Sequence, residues 1–266
     1  MKKIIALLSI GLLVCSCATV PLSGRKQLSI VSNSEVLPLA FDQYGQVLKE
    51  SKLLTNTKEG QEVVKVGNRI AEAVDTYLKA NGYSYITDGF KWDFNLLESD
   101  QVNAWCMPGG KVAFYTGILP ICEDETGIAV VMGHEVAHAI ASHARERMSQ
   151  GMVANGLIGG LQVAMGEDPS LTETIFLQAV GIGGQVGMLK FGRDQELEAD
   201  QLGLIFMSIA GYDPREAPVF WERMNAQSES SSRAPEFLST HPGPERRIDQ
   251  LNKKMDEALK YYNKEK

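Results

Sequence analysis

Apolar residues recur at helical spacing along most of this chain, and alternate in one short stretch. After Ser34, the positions Val36, Leu37, Leu39, Ala40, Phe41, Tyr44, Val47 and Leu48 predict an amphipathic helix. Val63, Val66, Ile70, Ala73, Val74 and Tyr77 predict a second helix over 62–78, closed by Gly82. Phe90, Trp92, Phe94 and Leu96 fall on alternate positions, so 90–97 reads as a strand. Residues 102–106 and 111–116 flank Pro108-Gly109-Gly110 and read as a hairpin or a pair of short strands. The stretch 123–148 predicts one long helix. Its first turn is acidic and its last carries Arg145 and Arg147, which suits the helix dipole. Further helices are predicted over 194–210, 214–224 and 246–263, with a serine-rich loop over 227–233. The pattern describes an α+β fold, mainly helical, with a small sheet beside the long helix.

The segment 151–192 is rich in glycine and apolar residues. Asn155, Gln162, Glu167, Asp168 and Pro169 interrupt it before the roughly 18 apolar residues of a span accumulate, so it reads as two glycine-containing helices. With 266 residues and a hydrophobic fraction of 44%, the chain can bury a normal core in one main domain. The formal charge of -7, with no long basic run, argues against nucleic acid as a partner.

The first residues belong to targeting rather than to the fold. Lys2 and Lys3 precede a short apolar run, 4–14, too short to span a bilayer comfortably. Val14-Cys15-Ser16-Cys17-Ala18 then resembles a bacterial lipoprotein signal, with small Ser16 just before a lipidated Cys17. The expected organisation is a signal over 1–16, a tether over 17–32 and a single domain over 33–266. The expected location is periplasm-facing in a bacterial envelope, anchored by lipid, with Ala18 favouring the outer membrane. Export implies an oxidising compartment. Cys106 and Cys122 either pair there or stay as two buried thiols, and spacing alone does not decide.

Candidate chemistry centres on His134-Glu135-Val136-Ala137-His138, inside the long predicted helix. Residues four apart share a helix face, so both imidazoles can meet one zinc ion. Glu135 is turned from that face but can reach a water that the metal activates. The longer pattern with a third histidine needs glycine at Ala141 and histidine at Ala144. His143 is therefore read as a packing or hydrogen-bonding residue that points away from the His134–His138 face. A third ligand is better supplied downstream. Glu196 and Asp200 share a face of the 194–210 helix, so Glu196 can bind the metal while Asp200 orients a ligand histidine. Glu198 faces elsewhere, solvated or paired.

With these residues in place, the sequence resembles the HtpX/Ste24-type gluzincin family of zinc metallopeptidases, and within it the soluble, exported lipoprotein members. The resemblance runs from about Ser34 to Leu251. It is carried by Asn103-Ala104-Trp105 through Lys111, the histidine motif with His143 and Arg147, Arg193 to Asp200, Gly211-Tyr212-Asp213-Pro214, and Ser239-Thr240-His241-Pro242 with Arg247. It implies a gluzincin-like peptidase domain with one zinc per chain, and a metalloendopeptidase acting on polypeptides such as misfolded or unassembled envelope proteins. An envelope chaperone or assembly factor with a latent peptidase site is the alternative. It also implies that His241 closes onto the metal or assists in the transition state, and that Arg247 supports that loop or contacts substrate. Asn103 and Lys111 fall in the family's strand-and-turn stretch, and the strand at 111–115 is a candidate for pairing with substrate backbone. The chain departs from the membrane-embedded members in lacking their spanning helices, which points away from intramembrane proteolysis. It also departs from members with a tetratricopeptide extension.

Overall fold

The computed structural model describes residues 17–154, 169–180, 192–230, 235–241 and 244–262. The signal over 1–16, most of the glycine-rich stretch and part of the serine-rich loop lie outside the described residues. Ser32 opens α1 (Asn33–Glu50), with Glu35 reaching back to the Ser32 N–H at 2.7 Å as a capping box. Thr57 opens α2 (Lys58–Ala80), its hydroxyl accepting from the Gly60 N–H at 3.1 Å. The chain then enters a three-stranded sheet of β3 (Asp93–Leu97), β4 (Ala104–Met107) and β5 (Lys111–Tyr115). Its order is β3-β5-β4, with β3 parallel to β5 and β4 antiparallel to it.

After a short helix, α3 (Leu119–Cys122), Asp124 caps α4 (Glu125–Ile140) by accepting from the Thr126 and Gly127 N–H groups at 2.7 and 3.0 Å. From Gly127 to Ile140 every residue of α4 is buried. A helix enclosed on all sides has no polar face, so its weak amphipathicity follows from its place at the centre of the core.

The sequence predicts one helix through 148, and the structure breaks it. Ser142 adopts φ 60°, in the left-handed region, and α5 (His143–Ala154) starts anew in another direction. Beyond it come α6 (Pro169–Val180), α7 (Arg193–Ile209), α8 (Glu216–Ser230), the short α9 (Glu236–Thr240) and α10 (Pro244–Tyr262). Among the described residues, no helix is long and apolar enough to cross a membrane.

α4 packs against α7, α2 and β4. The α4–α7 crossing is unusually close because two glycines face each other there. A Cβ on Gly203 would lie 2.8 Å from the Gly133 carbonyl carbon, and one on Gly133 would lie 2.8 Å from the Gly203 oxygen. A second apolar cluster, including Val36, Tyr44, Trp105, Met148 and Phe176, joins α1, α5 and α6 to the sheet. The stretch read as a tether is also structured: β1 (Cys17–Thr19) pairs antiparallel with β2 (Lys26–Leu28).

Candidate metal centre

His134 and His138 stand one turn apart on α4, and their Nε2 atoms are 3.0 Å apart. The Gly133–Gly203 contact brings the first turn of α7 beside them. Glu196 Oε2 lies 3.6 Å from His134 Nε2, and Glu196 Oε1 lies 3.5 Å from His138 Nε2. A fourth group arrives from α9. Its Phe237 N–H donates to the Val102 carbonyl at 3.0 Å, which ties the helix to the chain entering β4. His241, at the end of α9, puts Nδ1 3.2 Å from His134 Nε2 and 3.1 Å from Glu196 Oε1.

These separations decide whether the residues fit a zinc ion. Tetrahedral coordination at about 2.0–2.1 Å requires donor atoms roughly 3.3–3.4 Å from one another. Five separations among these residues, taken to the nearer Glu196 oxygen, run from 3.0 to 3.6 Å, and one donor atom from each of the four residues lies within 4.8 Å of the others. The protonation states fit as well. Burial pushes His134 down to about 4 and His138 well below the usual imidazole range, so both are neutral with lone pairs to give. Burial works against ionised Glu196, but His241 and Arg247 outweigh it and hold its carboxyl below the usual range. Arg247 Nη1 lies 2.9 Å from Glu196 Oε2, yet both atoms are buried without a hydrogen bond. That oxygen therefore keeps a lone pair for a metal.

The supporting groups are equally ordered. Asp200 Oδ1 stands 3.0 Å from His134 Nδ1, the ring nitrogen turned away from the cluster. Arg247 grips Asp200 through Nε at 2.7 Å and through Nη2, and its guanidinium lies 3.5 Å from the centroid of the Trp221 ring. Nη2 also comes within 3.0 Å of His134 Nδ1. Both of those nitrogens are donors, so the acceptor they share is Asp200. Glu135 follows His134 on α4 and is 2% exposed. Its Oε1 makes no hydrogen bond, with His241 Nε2 3.4 Å away. Burial pushes the Glu135 carboxyl up to about 7, against the opposing pull of His241.

The residues singled out from sequence sort cleanly. His134, His138, Glu196 and His241 converge on one point, with Glu135, Asp200 and Arg247 around it. Asn103 is structural: its Oδ1 accepts from the Ala104 N–H at 3.0 Å, and its carbonyl accepts from the Tyr115 N–H. Lys111 lies over the Phe41 and Tyr44 rings with Asp93 at 3.8 Å, away from the cluster.

The expectation that the strand at 111–115 offers an edge to substrate is corrected. β5 is the central strand and its pairing is used on both sides. The edge beside the cluster belongs to β4. Because Asn103 pairs with Tyr115, the alternation turns Ala104 and Cys106 outward, and the Cys106 backbone bonds Glu135. Cys106 and Cys122 are separate thiols, both pushed up by burial. Cys17 is exposed.

His143 is a hydrogen-bonding residue, as its sequence position suggested, but its direction and its link to Glu198 differ from expectation. His143 does not point away: the break at Ser142 swings its Nδ1 to within 2.7 Å of His138 Nδ1. Of the two readings of Glu198, solvated or paired, the second holds: it is buried and accepts from His143 Nε2 at 2.8 Å. An ideal helix projection could not find this contact, because it exists only where the helix stops being ideal.

Residues 60–255 match peptidase family M48. The mitochondrial metalloendopeptidase OMA1 of Schizosaccharomyces pombe is 32% identical over 241 residues, covering 90% of this chain and 66% of the relative. The Saccharomyces cerevisiae protein of the same name is 30% identical, covering 91% and 70%. The beta-barrel assembly-enhancing protease of Escherichia coli is 32% identical over 164 residues, covering 58% of this chain and 32% of the relative. The chain thus spans about two thirds of the fungal relatives and a third of the bacterial one. With that match added to the buried His/His/Glu/His set, the chain belongs to peptidase family M48 as a zinc metallopeptidase.

Proposed function

We propose that this protein hydrolyses peptide bonds in unfolded or unassembled proteins of a bacterial envelope, held to the membrane by lipid on Cys17. The observation that carries the catalytic part is the near-tetrahedral set of four donor atoms with Glu135 beside it. The envelope part is supported by the basic, apolar and Ser16-Cys17 pattern of the first residues, and by likeness to a protease named for β-barrel assembly.

His134, His138 and Glu196 would hold the zinc. A bound zinc ion supplies a Lewis acid that activates water and polarises the scissile carbonyl. Glu135 takes the proton from the attacking water at its carboxylate and passes it to the leaving amine. In the metal-free site burial pushes this carboxyl up, which eases its taking of a proton. Asp200 fixes the His134 ring by accepting from Nδ1–H, and Arg247 fixes Asp200.

The test is removal and return of metal. Cleavage of an unfolded polypeptide by the purified protein should vanish with a chelator and return with one equivalent of zinc. Cleavage that survives full zinc removal would refute the assignment. Fatty-acid labelling of the chain, lost in Cys17→Ser, checks the anchor; label retained by that variant would place the lipid elsewhere.

One observation favours a latent form of the same activity. A catalytic zinc leaves a position open for substrate, and here His241 Nδ1 stands at the fourth corner. The conformation described is therefore closed, and substrate enters only when the α9 end moves. His241→Ala should raise cleavage, by about tenfold if the closed form holds about nine tenths of the molecules. A fall in rate with unchanged zinc content would show instead that His241 assists the reaction.

A further inference from the structure

The β1–β2 hairpin is joined to the metal centre through side chains. The chain leaving β2 docks on α5, where Ser149 Oγ accepts from the Ile30 N–H at 3.0 Å. In the turn before β2, Arg25 reaches inward between two buried carboxylates. Its Nε donates to Glu198 Oε2 at 2.6 Å, its Nη1 to Glu146 Oε1 at 3.0 Å, and its Nη2 stands 2.9 Å from Glu146 Oε2. Glu146 and Glu198 are each 6% exposed. The Ser23 hydroxyl also donates to Glu198, and Gln195 donates to Glu146 at 2.6 Å.

The chain of contacts continues to a metal ligand, and its proton positions follow. This step rests on the reading of His138 as a zinc ligand through Nε2. In that role its proton sits on Nδ1 and must be donated to His143 Nδ1, 2.7 Å away. His143 then carries its own proton on Nε2 and donates it to Glu198 at 2.8 Å. Glu198 is the acceptor that ends this chain of contacts, and the Arg25 guanidinium, hydrogen-bonded to both Glu198 and Glu146, fixes where that acceptor stands.

We propose that Arg25 is a positioning residue of the metal centre: from the N-terminal hairpin, it fixes the His138 ring through Glu198 and His143. Partners at this remove typically change metal affinity by about 10–100-fold when lost. The hairpin that follows Cys17 is then part of what holds the metal.

The experiment measures zinc affinity of the full chain by competition with a chromogenic chelator, with thermal unfolding of the metal-free protein alongside. Arg25→Gln should weaken zinc binding by about 10–100-fold. Arg25→Lys keeps the charge but not the two-carboxylate grip, and should fall between. Ser149→Ala removes one dock of the chain beyond β2 while leaving Arg25 and its carboxylate partners unchanged, and should cost clearly less zinc affinity than Arg25→Gln. The effects of Arg25→Gln and Glu198→Gln should not add, since both act on one contact chain. If Arg25→Gln does not fold, the same cycle is run with Arg25→Lys. Unchanged affinity in the Arg25 variants, full additivity with Glu198→Gln, or an equal loss in Ser149→Ala would each overturn the proposal. Failure of the wild type to bind zinc would instead strike the metal-site reading on which it rests.

Discussion

Glu135→Gln is expected to lower peptide cleavage by about 10²–10⁴-fold, the range for loss of a general acid–base group, with zinc content unchanged. The substitution keeps the shape of the side chain and removes only its ability to accept and return a proton. Glu135 is not among the four donors, so the metal set stays whole. The buried site should also tolerate the change, because burial already penalises the charged form and holds this carboxyl up near 7. A neutral amide costs no more to bury than an ionised carboxylate in the same place. Stability of the metal-free protein at pH 8 should therefore match or exceed that of the wild type. The sign follows from the raised value: stability from this group is complete below its unfolded value and is lost as pH rises through the folded one. Two measurements check the prediction, turnover of an unfolded polypeptide and zinc per chain. A variant that keeps zinc and still cleaves at wild-type rate would remove Glu135 from the mechanism. If an envelope phenotype persisted while cleavage was lost, the binding role of an assembly factor would be the one that matters in the cell.

Much of this centre is legible in sequence because its parts obey local periodicity. His134 and His138 are one turn apart, and so are Glu196 and Asp200. Each pair shares a face wherever its helix lies. That the two faces meet is a tertiary fact, and its one local trace is Gly133 and Gly203, two missing side chains at the crossing. The misses share another cause. A residue in the left-handed region at Ser142 carries no strong signal, since most such positions hold glycine or asparagine. The break it makes redirected His143 and, with it, the partner of Glu198. Strand order fails for a related reason. Spacing marks β3, β4 and β5 as strands, but β5 lies between the other two because the connection over 98–103 carries the chain to the far edge and the short turn at Pro108-Gly109-Gly110 brings it back to the middle. The edge beside the metal thereby passed from Lys111–Tyr115 to Ala104–Met107. Arg25 was read as part of a tether because a short polar hairpin has no apolar period, and its buried contacts are with residues far along the chain.

Arg247→Ala is expected to destabilise the metal-free protein by about 3–5 kcal/mol, the cost of breaking a buried ion pair from one side. For a chain of this size that corresponds to a fall in Tm of about 10 °C. The arginine is 1% exposed and serves two carboxylates at once, Asp200 through Nε and Nη2 and Glu196 at 2.9 Å from Nη1. It also stacks on Trp221. Alanine removes the charge and the stack, and leaves Asp200 with only a neutral imidazole as partner. Burial alone would raise the Asp200 carboxyl, and the guanidinium is the main force holding it below the usual range. A lowered carboxyl contributes stability above its unfolded value, and that stability is lost as pH falls through the folded value. The gap between wild type and variant should accordingly be widest near neutral pH and shrink in acid. The double variant Asp200→Asn, Arg247→Ala should be less destabilised than the two single changes summed, because it no longer strands a charge in the core. Zinc should narrow the gap in the single variant, since a divalent ion on Glu196 replaces part of the lost positive charge. Unfolding by denaturant, followed with and without a chelator at neutral and acid pH, reads all of these together. A loss below about 0.5 kcal/mol, the range of ordinary surface changes, would mean that Arg247 does not neutralise this cluster and that its contacts with Asp200 and Glu196 carry little of the fold.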